Sequence, residues 1–155
     1  MNELNKIRIA RLNKITKANK AKDLAVKKAN ETARTDCIKR IKESWIPRIK
    51  ELGEVYHAYY EAFPDAESIT IPVGDKGRFE KHWLERDWGF AISTGDTDYY
   101  TLLPDGRFIR HCHYTCSDNY IPQNFVDMSL GMATAFLDGF ERWEKELYRR
   151  IDARI

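Results

Sequence analysis

A chain of 155 residues, 43% of them hydrophobic and 12% aromatic, with a net charge of only +2, can bury one sizeable core and is a poor candidate for intrinsic disorder. No apolar run approaches the ~18 residues of a membrane span, and the charged N-terminus MNELNKIRIARLNK lacks the apolar region of a secretory signal. Three cysteines (Cys37, Cys112 and Cys116) without C-x-x-C spacing argue against a disulfide framework and lead us to expect a soluble, cytoplasmic protein with no membrane contact.

The near-neutral total hides a segregation of charge. Residues 1–50 hold 15 Lys and Arg against 5 Asp and Glu, a net +10, so the remaining 105 residues carry −8. Such asymmetry speaks of partners rather than of fold. The basic end is drawn to polyanions or acidic surfaces, which the acidic remainder repels.

The first 44 residues contain no Gly, Pro or aromatic residue, and their Lys and Ala content favours a helix. A continuous helix of that length spans ~66 Å. Leu4, Ile7, Ile15, Ala18, Ala25, Val26, Ala29 and Ala33 share about one third of its circumference. Arg8, Arg11 and Lys22 intrude on that stripe, which is too alanine-rich for a core helix. We therefore expect residues 1–34 to form a basic helical arm, solvated or completed by a partner, and residues 35–155 to form a compact α+β domain. Leu4, Ile15, Val26 and Cys37 recur at eleven residues, a period compatible with a nearly straight or slightly right-handed coiled coil.

From Thr35, read as an N-cap, the residues Ile38, Ile41, Trp45, Ile49, Leu52, Tyr56, Tyr59 and Phe63 follow helical spacing. This predicts a second amphipathic helix, with a kink or break near Ser44–Trp45 imposed by Pro47. Residues 68–73 read as an edge strand marked by Pro72, and residues 75–87 as a short helix. Strands are predicted at 88–94, 99–103 and 107–115, joined by the turn sequences GDTD and PDG. From Pro122, taken as a first-turn residue, a long C-terminal helix is expected, burying Phe125, Met128, Met132, Phe136, Phe140, Trp143, Leu147 and Ile151. Gly131, Ala135 and Gly139 leave it a flat strip for close approach. The expected fold is α+β: a helical arm, a second helix, an antiparallel meander of three to four strands and a C-terminal helix packed on that sheet.

Four features can carry chemistry. Lys6, Arg8, Arg11, Lys14, Lys17, Lys20, Lys22, Lys27 and Lys28 wind around the arm, because a three-residue step drifts by about 60° on an α-helix. They are the candidate contacts to a nucleic acid, a nucleoprotein complex or an acidic protein surface. The arm has no aromatics for base stacking and matches no named DNA-binding motif. The run RHCHYTC at 110–116 places His111 and His113 on one face of a strand and Cys112 on the other. With Cys116 they offer three zinc-type ligands, to which Asp118, His57, His82 or water is a possible fourth. The same histidines, with Asp96, Asp98, Asp105 or Asp118 and with Cys116 as nucleophile, outline a histidine-based enzyme, although no recognised catalytic motif is present. Finally, Tyr59, Tyr60, Tyr99, Tyr100 and Tyr114 are candidate interface aromatics, since tyrosine pairs apolar area with a polar handle.

The leading expectation is a non-enzymatic binding or regulatory protein, an inhibitor or modulator of a larger complex, that docks through its basic arm and needs no cofactor. The first alternative is a zinc-binding protein or small enzyme centred on His111, His113 and Cys116. The second is a homo-oligomer assembled through the N-terminal helix.

Overall fold

Residues 3–62 form one unbroken helical run of 60 residues. The computed structural model describes residues 1–95, 97–114 and 117–155. The run opens with α1 (Glu3–Arg40), capped by Asn2, whose side chain accepts a 2.7 Å hydrogen bond from the Asn5 N–H. It passes through a single π turn, Ile41–Trp45, and continues as α2 (Ile46–Ala62). The π turn is how the chain absorbs Pro47. A proline ring inside an α-helix collides with the carbonyl four residues back and donates no hydrogen bond. Widening the preceding turn, so that the Ile46 N–H reaches the Ile41 carbonyl, makes room without ending the helix. The expected separate second helix is therefore the continuation of the arm. Thr35 is not an N-cap: it lies mid-helix, its hydroxyl donating to the Glu31 carbonyl at 2.9 Å.

The sheet has six strands rather than three to four. It is an antiparallel meander in chain order: β1 (Thr70–Val73), β2 (Gly77–Trp83), β3 (Trp88–Ser93), β4 (Asp98–Leu102), β5 (Phe108–Tyr114) and β6 (Ser117–Pro122). Two strands escaped the sequence reading. Residues 75–87, expected as a helix, contain β2, which pairs with β1 (Ile71↔Phe79) and with β3 (Phe79↔Ile92). Strand β6 is polar and has no apolar alternation; it is held by pairing with β5, Tyr120 opposite His111 and Asp118 opposite His113. Gly74 (φ +60°) and Gly106 (φ +93°) supply the left-handed backbone that the β1–β2 and β4–β5 turns require.

The C-terminal helix α3 (Leu130–Arg154) begins later than expected, because Pro122 ends β6 and a 3-10 turn (Phe125–Asp127) intervenes. Its N-cap is Ser129, whose Oγ accepts from the Met132 N–H at 3.1 Å. The core lies between the helices and one face of the sheet. Ile41, Ile49 and Leu52 meet Phe79, Phe90, Phe136, Phe140 and Trp143 there. Trp143 donates its indole N–H to the Ile69 carbonyl at 3.1 Å, so the largest buried ring leaves no polar group unpaired. Arg34 ties the base of α1 to the turn before α3, donating to the carbonyls of Val126 (2.9 Å) and Met128 (3.0 Å).

No helix among the described residues is long and apolar enough to cross a membrane.

Candidate functional site

Two features stand apart from the packing of the core. The first is the free length of α1. Every residue from Met1 to Ala33 is exposed, and the first buried residue of the helix is Ile38. The nine basic residues singled out in the sequence (Lys6, Arg8, Arg11, Lys14, Lys17, Lys20, Lys22, Lys27 and Lys28) all lie on this stretch and all face solvent. Among the described residues, Lys6 is the member of this set held in an ion pair, with the neighbouring Glu3 at 3.1 Å. Its apolar stripe is weak: Leu4, Ile7, Ile15 and Val26 share a face but are each more than 40% exposed, Arg8, Arg11 and Lys22 interrupt them, and Ile9, Leu12 and Leu24 lie off that face. What the arm offers is positive charge around most of its circumference.

The second feature is the sheet face turned away from the helices. Alternation along β2, β4, β5 and β6 puts His82, Tyr99, His111, His113, Asp118 and Tyr120 on this face, where they line an open cleft of about 370 Å³. The β5–β6 register sets His113 opposite Asp118 and His111 opposite Tyr120. His111 is buried, at 7% exposure. Its Nδ1 lies 2.8 Å from His82 Nε2 and its Nε2 lies 3.0 Å from Asp118 Oδ1. His113 is exposed and brings Nδ1 to 2.5 Å from the same carboxylate oxygen. Rings clamp the arrangement from both sides: Tyr99 stacks on His82 at 4.0 Å, and Tyr120 stacks on His111 at 4.7 Å.

The electrostatics follow from this geometry. Burial, reinforced by the neighbouring His111 and His113, pushes His82 down to about 4, so its ring is neutral near pH 7. The hydrogen bonds from His113 and then His111 hold the Asp118 carboxyl below its ordinary value. A neutral histidine, a buried histidine and a carboxylate thus form one hydrogen-bonded chain. Beside it, Leu84, Leu103, Ile109 and Tyr120 floor a smaller hollow of about 230 Å³, with Asp87 and Arg107 at its rim.

Of the other residues named from sequence, Asp118 joins the histidines, whereas Asp98 is paired with Arg110 and Asp105 with Arg107. Cys112 is buried on the opposite side of β5. Cys116, Asp96 and the Tyr114 side chain lie outside the described residues. Tyr59 is buried against Phe63, and the half-buried Tyr60 packs edge-on to Tyr56. Tyr100 lies on the helix side near Phe108 and Arg110, while Tyr99 belongs to the histidine face. His57 lies away from that face, between Trp83 and Trp88.

The sequence reading listed His82 as one of several possible fourth ligands but not as a neighbour that positions His111. The signal that identifies that role is the Phe79, Lys81, Trp83 alternation of β2, which sends His82 to the other face. No protein-family model matches the chain, no curated protein matches its sequence and no solved structure matches it.

Proposed function

We propose that this chain is a non-enzymatic binding protein whose arm engages nucleic acid through phosphate contacts, as the attachment of the acidic remainder to a larger assembly. The observation that carries this reading is the distribution of charge on the exposed part of α1. A helix that docks on a protein surface presents one apolar stripe to a groove, and so does a helix that pairs with a copy of itself. The stripe on the arm is a poor version of either, because it is mostly alanine and Arg8, Arg11 and Lys22 interrupt its larger residues. Basic residues around most of the circumference suit a helix lying in a nucleic-acid groove, with phosphates on both flanks. Contacts of this kind are indifferent to base sequence.

The test is fluorescence anisotropy of a labelled duplex over a range of salt concentrations, with light scattering to report the mass of the free protein. With some six phosphate contacts, the log–log dependence of affinity on salt has a slope of about −5. Replacing Arg8, Arg11, Lys14 and Lys17 together by alanine reduces the slope to about −2 and leaves the circular dichroism of the body unchanged. Salt-insensitive binding, or binding equal in the fourfold variant, overturns the reading. A DNA-independent oligomer that requires residues 1–33 favours self-association instead.

A further inference from the structure

We propose that the outer face of the sheet is a binding site for a divalent transition-metal ion, with zinc the best fit to the donors, held by His111 Nε2, His113 Nδ1 and Asp118 Oδ1. The inference is independent of the reading of the arm.

The three donor atoms all lie within 4.8 Å of one another. Around a tetrahedral ion with Zn–N and Zn–O bonds of about 2.0–2.1 Å, such atoms stand roughly 3.3 Å apart. Side-chain rotations of about an ångström therefore open the 2.5 Å His113–Asp118 and 3.0 Å His111–Asp118 contacts to ligand spacing. Two of the three donors lie opposite each other in the β5–β6 register, and the third is two residues along the same strand. Hairpin pairing thus fixes their backbones without help from a loop. The donor set, two imidazoles and one carboxylate, is one that zinc accepts, and it leaves a fourth position open toward the cleft.

What separates this cluster from a chance gathering of polar groups is the second layer. A ligating histidine must present a lone pair to the metal, which obliges its other nitrogen to carry the proton and to find an acceptor. For His111 that partner is in place: Nδ1 faces His82 Nε2 at 2.8 Å, which accepts once the His82 proton sits on its own Nδ1. The two rings are held in orientation by the stacked Tyr99 and Tyr120. In the resting arrangement His111 and His113 spend donors on Asp118. When the ion binds, His111 moves its proton from Nε2 to Nδ1 while His82, which donates from Nε2 at rest, moves its own to Nδ1 and becomes the acceptor. The exposed His113 moves its proton from Nδ1 to Nε2, toward water. No proton need leave the site. A purely structural hydrogen-bond network would have no need of the exposed His113, at 60% side-chain exposure, where water would satisfy Asp118 equally well.

The experiment uses the untagged 155-residue chain, stripped with a chelator and titrated with Zn²⁺ by calorimetry at pH 7.5. Cobalt(II) is the spectroscopic probe, because a four-coordinate nitrogen–oxygen site gives visible absorption that the aqueous ion lacks. We expect one ion per chain. His113→Ala and Asp118→Asn sit at exposed positions and should leave the fold intact, as circular dichroism will show, yet each should abolish the stoichiometric binding and the cobalt bands. His82→Phe keeps the stacked ring but removes the acceptor, and should weaken binding by about 10–100-fold. Absence of a one-to-one isotherm in the wild-type protein overturns the proposal. So does binding that persists at wild-type affinity in either His113→Ala or Asp118→Asn.

Discussion

His57 is a histidine in surroundings that suit a phenyl ring. It stacks on Trp83 at 5.7 Å and meets Trp88 edge-on at 5.5 Å, while its Nε2 is buried with no hydrogen-bond partner among the described residues. Burial, and after it the ammonium of Lys81, pushes its pKa below the ordinary value. A histidine whose folded-state pKa is depressed binds fewer protons than the unfolded chain does. Its neutral form therefore supports the fold above about pH 6.5, and that support is lost as the pH falls below that value. His57→Phe removes both the orphaned nitrogen and the titration. We expect it to be neutral at pH 7 or to stabilise the protein by up to about 1 kcal/mol. The advantage over wild type should widen as the pH is lowered from 7 to 5, read as the shift in urea midpoint at each pH. A variant destabilised at pH 7, or one whose acid sensitivity equals that of wild type, contradicts this account. Nothing in the local sequence E-V-Y-H-A-Y-Y distinguishes this histidine, because its partners Trp83 and Trp88 arrive from strands some 26 and 31 residues away.

At the scale of elements, the contact between α3 and β2 depends on the absence of a side chain. A Cβ built on Gly139 would lie 2.4 Å from the Phe79 ring, whereas one on Gly131, eight residues earlier, meets nothing closer than 4.0 Å. Gly139→Ala must push α3 off the sheet or turn Phe79 away from the stacked Phe90. An overpacked core of this kind is destabilised by about 1–3 kcal/mol, against which the better helix propensity of alanine returns under about 1 kcal/mol. Gly131→Ala gains only the propensity and should be neutral or mildly stabilising. Equilibrium urea unfolding of both variants separates the two effects. The close-approach strip was legible in the sequence, because a small residue every fourth position on an aromatic helix has few other uses, but which of its members is in contact was not. The arm was readable from its lack of Gly, Pro and aromatic residues, the inner part of the helical run and α3 from their 3.6-residue period, and strands β3 to β5 from strand-like runs bounded by turns. Strand β2 resembles a helix in sequence because Phe79, Trp83 and Leu84 satisfy a helical spacing, while Phe79 and Trp83 alone fit the alternation of a strand. Strand β6 was invisible, since its place is dictated by pairing with β5 and not by its own residues. The histidine cluster shares that fate in part: the strand placed His111 and His113 together, while the convergence of His82 and Asp118 depended on those two unseen strands.

For the molecule as a whole, the question is what the 60-residue helical run contributes to folding. Its first 33 residues are all exposed, and among the described residues none of them belongs to the hydrophobic core. Burial begins at Ile38 and Ile41, and the first tether is Arg34, whose guanidinium serves two carbonyls before α3. An isolated helix gains little from propensity alone, so the outer arm frays independently of the body. Deleting residues 1–33 should therefore leave cooperative unfolding within about 1 kcal/mol of the full chain. Deleting residues 1–41 removes Arg34, Ile38 and Ile41 together and should destabilise far more, since truncating even one such isoleucine costs about 2–5 kcal/mol. The same shorter deletion takes away nine basic and three acidic residues, turning a chain of net charge +2 into one of −4. A body of that charge is repelled by phosphates, so the truncated protein should fold normally and lose its affinity for duplex DNA in the same preparation. If the truncated protein still binds DNA, the attachment resides in the body and the arm has another purpose. If it fails to fold, the arm is an integral part of the core and the exposed helix has been misjudged.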